Sequence, residues 1–407
     1  MPKVLRIINR FNLGGPTYNA AYLSKLLPND FETLLVGGEI DESEAASQYI
    51  LDELGLKPVI IPEMRREINL RNDVKAYKKL KAIIKEFQPD IVHTHASKAG
   101  TLGRLAAASC KVPVIIHTFH GHVFHSYFNK AKTNLFKRIE RSLSKKSTKI
   151  IAISDKQKDE LGIEHKIAPL SKIEVVPLGF DLSRFQTGMT HKRAVFREQY
   201  NIKEDELAIG IIGRLVPVKN HNLFLEAIAI VLKKITKKVK ILIVGDGEDH
   251  DNLREKCLSL GIPYSDKNFE TCEGPVIFTS WIKEIDAVNA GLDIVALSSL
   301  NEGTPVSLIE AQAANKPIVS TNVGGIQNIV REKVTALLSE VEDVEAYAKN
   351  LLSLLENDLQ RTEMSKEGWN HVREKYSCER LAKDMAVLYN KLLEEHSKNK
   401  KKKNEKN

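Results

Sequence analysis

Thirteen short apolar runs, most of them followed by a helix-length amphipathic stretch, organise this 407-residue sequence. In the first half they are VLRII, TLLVG, PVIIP, DIVHTH, VPVIIHTF, KIIAIS and KIEVVP. In the second they are AIGIIG, KILIVGDG, PVIFTSW, DIVALSS, KPIVSTN and TALLS. Near-continuous Val/Ile/Leu runs bounded by Gly, Pro and polar turns suit strands buried on both faces of a parallel sheet. Amphipathic segments such as Asn72–Phe87, Asn220–Lys234 and Asp249–Leu260 lie between them, so the chain reads as repeated βαβ units. The predicted class is therefore α/β, with two Rossmann-like doubly wound domains. The expected boundaries are 1–186 and 187–375, with the break falling near Gly179–Gly188. A C-terminal helix, 376–396, is expected to pack back towards the first domain. The tail 397–407, Lys-rich and without an apolar residue to bury, is expected to be disordered.

Composition sets outer bounds. At 42% hydrophobic and 28% charged residues, the chain has the usage of an ordinary globular protein with material for two cores. No apolar run reaches the ~18–20 residues that span a bilayer. Arg6 and Arg10 interrupt the N-terminal run and argue against a secretory signal, so the expected location is the cytoplasm. Cys110, Cys257, Cys272 and Cys378 are scattered, which disfavours a disulfide framework or a cysteine-based zinc site. Of the net charge of +8, residues 1–186 carry 29 basic against 20 acidic side chains, and residues 398–407 carry six against one. A basic first half points to an anionic partner.

Open α/β sheets bind ligands in loops at the carboxyl ends of their strands, and the residues placed there are informative. The first strand runs into Gly14-Gly15-Pro16, a tight turn into a helix N-terminus where backbone amides face an anion. Six of the twelve histidines lie in DIVHTH and HTFHGHVFH. A metal site is conceivable, but neither segment supplies a carboxylate ligand beside its histidines. His93 and His117, inside strands, suit structural roles, whereas His120 at a strand end suits a substrate cleft. In the second half, Arg214 and Lys219 follow a strand and precede a helix, where a planar fork and a point charge can converge on one diphosphate. Gly245, in the turn Gly245-Asp246-Gly247, permits close approach of a ligand. In LNEGTPVSLIEA, Pro305 near a helix start leaves free amides around Gly303, Thr304 and Val306. Glu302 and Glu310 are costly beside an anion, and they suit acceptance of hydrogen bonds from sugar and ribose hydroxyls.

The spacing Glu302-Gly-x-Pro-x4-Glu310 resembles the Glu-x7-Glu signature of retaining GT-B glycosyltransferases of family 4. The likeness runs through nearly the whole chain: the Gly14-Gly15 loop, PDIVHTHASKAGTLGR, HTFHGHVFHSYF, VVPLGFDLSRF, GRLVPVKN, VGDGE, EGTPVSLIEA and PIVSTNVGG. The first-half segments look most like a bacterial branch acting on surface polysaccharides and glycolipids. The resemblance implies two domains facing a central cleft, with the nucleoside-diphosphate sugar held mainly by the second. It implies that Arg214 and Lys219 neutralise the departing diphosphate and that Gly15 approaches it from the first domain. Glu302 would hold donor-sugar hydroxyls, backbone amides around Gly303–Pro305 would assist at the diphosphate, Glu310 would bind the ribose, and His120 would contact the transferred sugar. His122 and His125 compete for that last part, and Pro16 is a departure that stiffens the glycine loop. Neither a metal nor another cofactor is expected, and the nucleotide expected by family frequency is UDP, with GDP next.

The acceptor expected from the resemblance is a saccharide or a lipid-linked one. Asn129–Lys149 holds eight basic residues and one acidic one, with Leu135, Phe136, Ile139 and Leu143 at helical spacing. Such a helix either rests on an anionic membrane or packs on the first sheet. Two other readings stand beside the transferase: a GT-B sugar-nucleotide 2-epimerase, and a non-catalytic polyanion binder suggested by a pI near 9.0. With 6% aromatics and no aromatic interleaving of the basic residues, a nucleic-acid partner is not expected. The absence of Gly-x-Gly-x-x-Gly disfavours a dinucleotide oxidoreductase.

Overall fold

A computed structural model describes residues 1–11, 15–39, 48–65, 67, 69–120, 130–266 and 274–404. The chain divides into two compact units: Met1–Phe180 with Tyr376–Asn407, and Asp181–Lys375.

The first unit carries a seven-stranded parallel sheet in the order β3-β2-β1-β4-β5-β6-β7. Its strands are β1 (Lys3–Arg10), β2 (Glu32–Gly38), β3 (Val59–Ile60), β4 (Ile91–His95), β5 (Val114–Thr118), β6 (Lys149–Ala152) and β7 (Ile173–Val175). The strand order reverses direction between β1 and β4, which opens a crevice at their carboxyl ends. One face is sealed by the helices Leu70–Phe87 and Ser97–Ser109 over Leu5, Ile7, Val92 and Ile115. The first of these helices buries Ala76, Leu80 and Ile84, one stripe at four-residue spacing, and the Asn69 side chain caps it by accepting from the Arg71 and Asn72 amides. On the other face Leu23, Leu381, Met385 and Leu392 cover Val4, Ile91 and Val114. Leu381, Met385 and Leu392 come from the C-terminal helix, which therefore belongs to the first unit.

The second unit has the same kind of sheet, ordered β10-β11-β9-β8-β12-β13-β14. These strands are β8 (Leu207–Ile212), β9 (Val239–Val244), β10 (Tyr264–Asp266), β11 (Val276–Ser280), β12 (Ile294–Leu297), β13 (Ile318–Thr321) and β14 (Ala336–Ser339). Here the reversal falls between β8 and β12. Edge strand β10 is missing from the sequence reading, because three residues with one buried side chain leave no apolar run.

Two expectations are corrected. Asp181–Gln186, read from sequence as part of the first domain, sits on the second unit: Arg184 pairs with Asp286, and Gln186 Nε2 donates to the Ala313 carbonyl at 2.5 Å. Residues 397–404, read as part of a disordered tail, instead continue the helix Cys378–Asn404, and the last three residues of that tail lie outside the described ones. Lysine is a good helix former, and an existing helix extends without a new nucleation cost. The basic helix Lys130–Lys146 divides its apolar residues. Leu143 is buried and Phe136 packs on the core under β6, whereas Leu135 and Ile139 face solvent.

Candidate functional site

In the second unit, the switch point between β8 and β12 gathers most of the residues singled out by sequence. After β8 the chain turns through Gly213 and Arg214. It then forms a short 3-10 turn, Pro217–Lys219, ahead of the helix His221–Lys234. Strand β12 leads into Ser298, Ser299 and Glu302, and the backbones of the two loops are tied by Leu300 N–H to the Val218 carbonyl at 2.8 Å and Ser298 Oγ to the Lys219 carbonyl at 3.0 Å. Lys219 Nζ lies 2.5 Å from Glu302 Oε1, which also accepts from Ser299 Oγ at 2.6 Å. Glu302 Oε2 has no hydrogen bond among the described residues. Arg214 is exposed and has no carboxylate partner among the described residues.

The glycines of this site are explained by close approach. A Cβ on Gly245 would stand 1.8 Å from the Gly213 carbonyl oxygen, and its φ of +144° is disfavoured for L side chains. Gly324, at φ +55°, lies against the loop on the other side, where a Cβ would meet the Glu302 carbonyl oxygen at 2.0 Å. Gly325 N–H donates to that same oxygen at 3.0 Å, so the glycine pair of STNVGG clamps the backbone of Glu302.

The helix Val306–Ala313 begins immediately after Pro305, as the sequence predicts, and no side chain caps its N-terminus. Gly303 is open to solvent, with nothing within 4 Å of a Cβ built on it. First-turn amides and the helix dipole therefore offer an anion site beside Lys219 and Arg214. Glu310 lies on the same helix. Burial pushes its carboxyl up to about 8, with Arg184 opposing and Asp286 adding to the rise. No hydrogen bond to this carboxyl is present among the described residues, so both oxygens are open to ligand hydroxyls. His221, at the start of the helix that follows Lys219, is pushed down to about 4 by burial, with Lys219 contributing.

The first unit's switch point is of a different kind. Strand register sets Arg6 beside His93 and His95 beside Thr118. His93 is bonded on both ring nitrogens, Nδ1 to Tyr389 Oη at 2.6 Å and Nε2 to Thr118 Oγ1 at 2.7 Å. His95 stacks on His93 with ring centroids 4.2 Å apart, and its Nδ1 lies 2.9 Å from His120 Nε2. His117 points to the opposite face, where it bonds Thr94 Oγ1 at 2.9 Å and fills the space that a side chain at Gly100 would need. Burial holds His93, His95 and His117 well below the ordinary histidine range and His120 at about 4. All four are neutral near pH 7. Among the described residues, no group of three His, Cys, Asp or Glu side chains is arranged to hold a metal ion.

The helix at Gly15 starts as predicted, and Gly15 has nothing within 4 Å of a built Cβ. Gly14, His122 and His125 lie outside the described residues. Sequence reasoning missed Ser299, Gly324 and Gly325 as supports of Glu302, although SSLNEG and STNVGG both stand at strand ends. It also missed Arg6 and Tyr389, for which no local signal exists.

Residues 192–371 match the family described as glycosyl transferases group 1, and residues 14–184 match glycosyltransferase family 4. A UDP-Gal:alpha-D-GlcNAc-diphosphoundecaprenol alpha-1,3-galactosyltransferase from Escherichia coli is 29% identical, covering 82% of each chain. The capsular polysaccharide biosynthesis glycosyltransferase CapM from Staphylococcus aureus is 26% identical over 83% of this chain and 85% of its own. Among solved structures, Anabaena HepE in complex with UDP superposes with a TM-score of 0.78 at 17% identity, covering 96% of this chain and all of that one. A Rickettsia africae glycosyltransferase gives 0.77 at 19% identity, over 96% and 98% of the two chains. At such identities the structural likeness concerns the fold.

Proposed function

Because this chain belongs to the GT-B glycosyltransferases of family 4, we propose that it transfers a sugar from a UDP-sugar to a lipid-linked saccharide in surface polysaccharide or glycolipid synthesis, with retention of anomeric configuration. The observation that carries this reading is the convergence of Lys219, Glu302 and the uncapped Val306–Ala313 helix at the switch point of the second sheet. The UDP complex of HepE and the UDP-Gal donor of the E. coli relative support the choice of nucleotide.

In the proposed step, the bond from sugar C1 to the diphosphate oxygen breaks and its electron pair leaves with UDP. The acceptor hydroxyl oxygen bonds to C1 from the same face and passes its proton to the departing diphosphate. Charge grows on that diphosphate, and Arg214, Lys219 and the amides around Gly303–Val306 stabilise it without reorganising. These fixed cations take the part a metal would play, so the reaction proceeds without one. Glu302, with Oε1 occupied by Lys219 and Ser299, offers Oε2 to a donor-sugar hydroxyl. Glu310 receives the ribose hydroxyls, and neutral His120 contacts the transferred sugar. Gly15, beside Gly14 of the same turn in sequence, leaves its backbone open to the ligand, whereas Gly245 is kept small by the Gly213 carbonyl rather than by a ligand; Thr304 and Pro305 complete the diphosphate loop.

No helix among the described residues is long and apolar enough to cross a membrane. The exposed Leu135 and Ile139 on a helix rich in Lys and Arg suit a peripheral contact with an anionic bilayer, where a lipid-linked acceptor resides.

The test is thermal unfolding with UDP, GDP and ADP for wild type and Glu310→Ala, followed by transfer from UDP-galactose to a polyprenyl-diphosphate GlcNAc acceptor in EDTA. UDP at about 100 times its dissociation constant should stabilise wild type by roughly 2.7 kcal/mol, and Glu310→Ala should lose most of that shift. Absence of any nucleotide shift, or transfer abolished by EDTA, would overturn the respective part of the reading.

A further inference from the structure

Arg6 and Arg104 are the largest fully buried side chains in the first unit; Arg104 pairs with Glu140, whereas Arg6 faces no carboxylate among the described residues. Its Nε donates to Ser24 Oγ and its Nη1 to Tyr389 Oη, both at 3.2 Å, while Nη2 has no hydrogen-bond partner among the described residues. A buried guanidinium without a counter-charge is costly, and an apolar side chain of similar size would pack there at less cost. What the position obtains is control of one proton. Arg6 can only donate, so the Tyr389 hydroxyl accepts from it and turns its own hydrogen to His93 Nδ1. His93 Nε2 must then carry the ring proton and donate to Thr118 Oγ1. One tautomer and one ring orientation remain.

That ring is the floor on which the next one rests. His95 lies against His93 at 4.2 Å and holds His120 through Nδ1. Two nitrogens in this column, His95 Nε2 and His120 Nδ1, are buried and have no hydrogen-bond partner among the described residues. Both stand at the carboxyl ends of β4 and β5, at the end of the sheet where the switch-point crevice opens.

We propose that Arg6 and Tyr389 are positioning residues for His120, locking its ring through His93 and His95 so that Nδ1 is presented to the transferred sugar. This inference rests on the reading of His120 as the residue against that sugar. Tyr389 belongs to the helix Cys378–Asn404, so the last helix of the chain reaches the chemistry through three imidazoles.

The experiment is a two-bond proton–nitrogen spectrum of the full chain with ring-15N histidine, the His120 signals being assigned from His120→Gln. In wild type, His93 should show the Nε2-protonated pattern. Tyr389→Phe keeps the aromatic packing, removes the hydroxyl, and should shift the ring nitrogens of both His93 and His120. Thr118→Val cuts the other end of His93 and should move the same signals, which covers the case in which Tyr389→Phe fails to fold. Both variants should lower kcat for UDP release from UDP-galactose by about ten- to a hundredfold, with KM for UDP-galactose within about twofold. Unchanged His120 ring nitrogens in folded Tyr389→Phe and Thr118→Val proteins would overturn the proposal. If wild type releases no UDP from any UDP-sugar, the function reading fails, and the ring spectra still decide this one.

Discussion

The two units build their strand-end sites from opposite materials on the same kind of sheet. In the first, the polar groups at the strand ends are neutral rings stacked inside the protein, bonded to hydroxyls and to each other, with the Arg6 charge buried behind them. In the second, they are cations and carboxylates at the rim, with Lys219 leaning on Glu302 and Arg214 open to solvent. A neutral buried site positions a ligand, because its groups have few alternative geometries. A charged site at the rim answers charge as it forms, because its cations and amides already stand where that charge grows. The division also gives the units opposite weaknesses towards pH.

The largest effect should come from removing charge in the second unit. Lys219→Ala leaves Glu302 with Ser299 alone and should cut transfer by about 10²- to 10³-fold, read as kcat on the intact chain. A loss below about threefold would erase the distinction drawn between the two sites.

Acid should act next, and on the first unit. A histidine whose folded pKa is depressed stabilises the fold above its unfolded pKa of about 6.5, and that contribution is lost as pH falls towards the folded value. His93, His95, His117 and His120 all lie in the first unit, against His221 and the more weakly shifted His371 in the second. Hydrogen exchange between pH 6.5 and 4.5 should therefore lose protection faster in β4 and β5 than in β8 and β12, by about tenfold per pH unit for each group fully within its window.

Gly324→Ala tests whether the rim of the second site is held as tightly as the column of the first. Its Cβ would stand 2.0 Å from the Glu302 carbonyl oxygen at a φ of +55°. Urea unfolding should show a loss of roughly 1–3 kcal/mol, and UDP binding should weaken with it.

The smallest effect has the reverse sign from the histidines. Burial raises the Glu310 carboxyl to about 8, so between about 4.5 and 8 the folded state keeps a proton that the unfolded state has released. Stability then falls as pH rises through that window. Glu310→Gln should remove this slope, becoming the more stable protein above pH 7 and matching wild type near pH 4.5. Part of the side chain still meets water, so the direction rather than the size is the expectation. Equal melting profiles for the two proteins from pH 5 to 8 would refute it.

What was legible in the sequence is what local spacing encodes. Apolar runs marked thirteen of the fourteen strands among the described residues. For the inner strands this is because burial on both faces leaves a continuous hydrophobic trace, whereas the edge strand β3 keeps both of its residues exposed. Ligand residues on one loop were legible too: Glu302, Pro305 and Glu310 sit within nine residues, and the turn into a helix imposes their relative placement. The supports of those residues were not. Arg6 and Tyr389 are 383 positions apart, and Tyr389 and His93 are 296 apart. In sequence, Arg6 reads as a charge interrupting a strand and Tyr389 as one apolar position in a helix. Only packing of the last helix on the first sheet gives the arginine something to donate to and the histidine a hydrogen to accept. Periodicity reports which face of an element is buried; it carries no information about which element buries it, and that decides where a buried charge finds its partner.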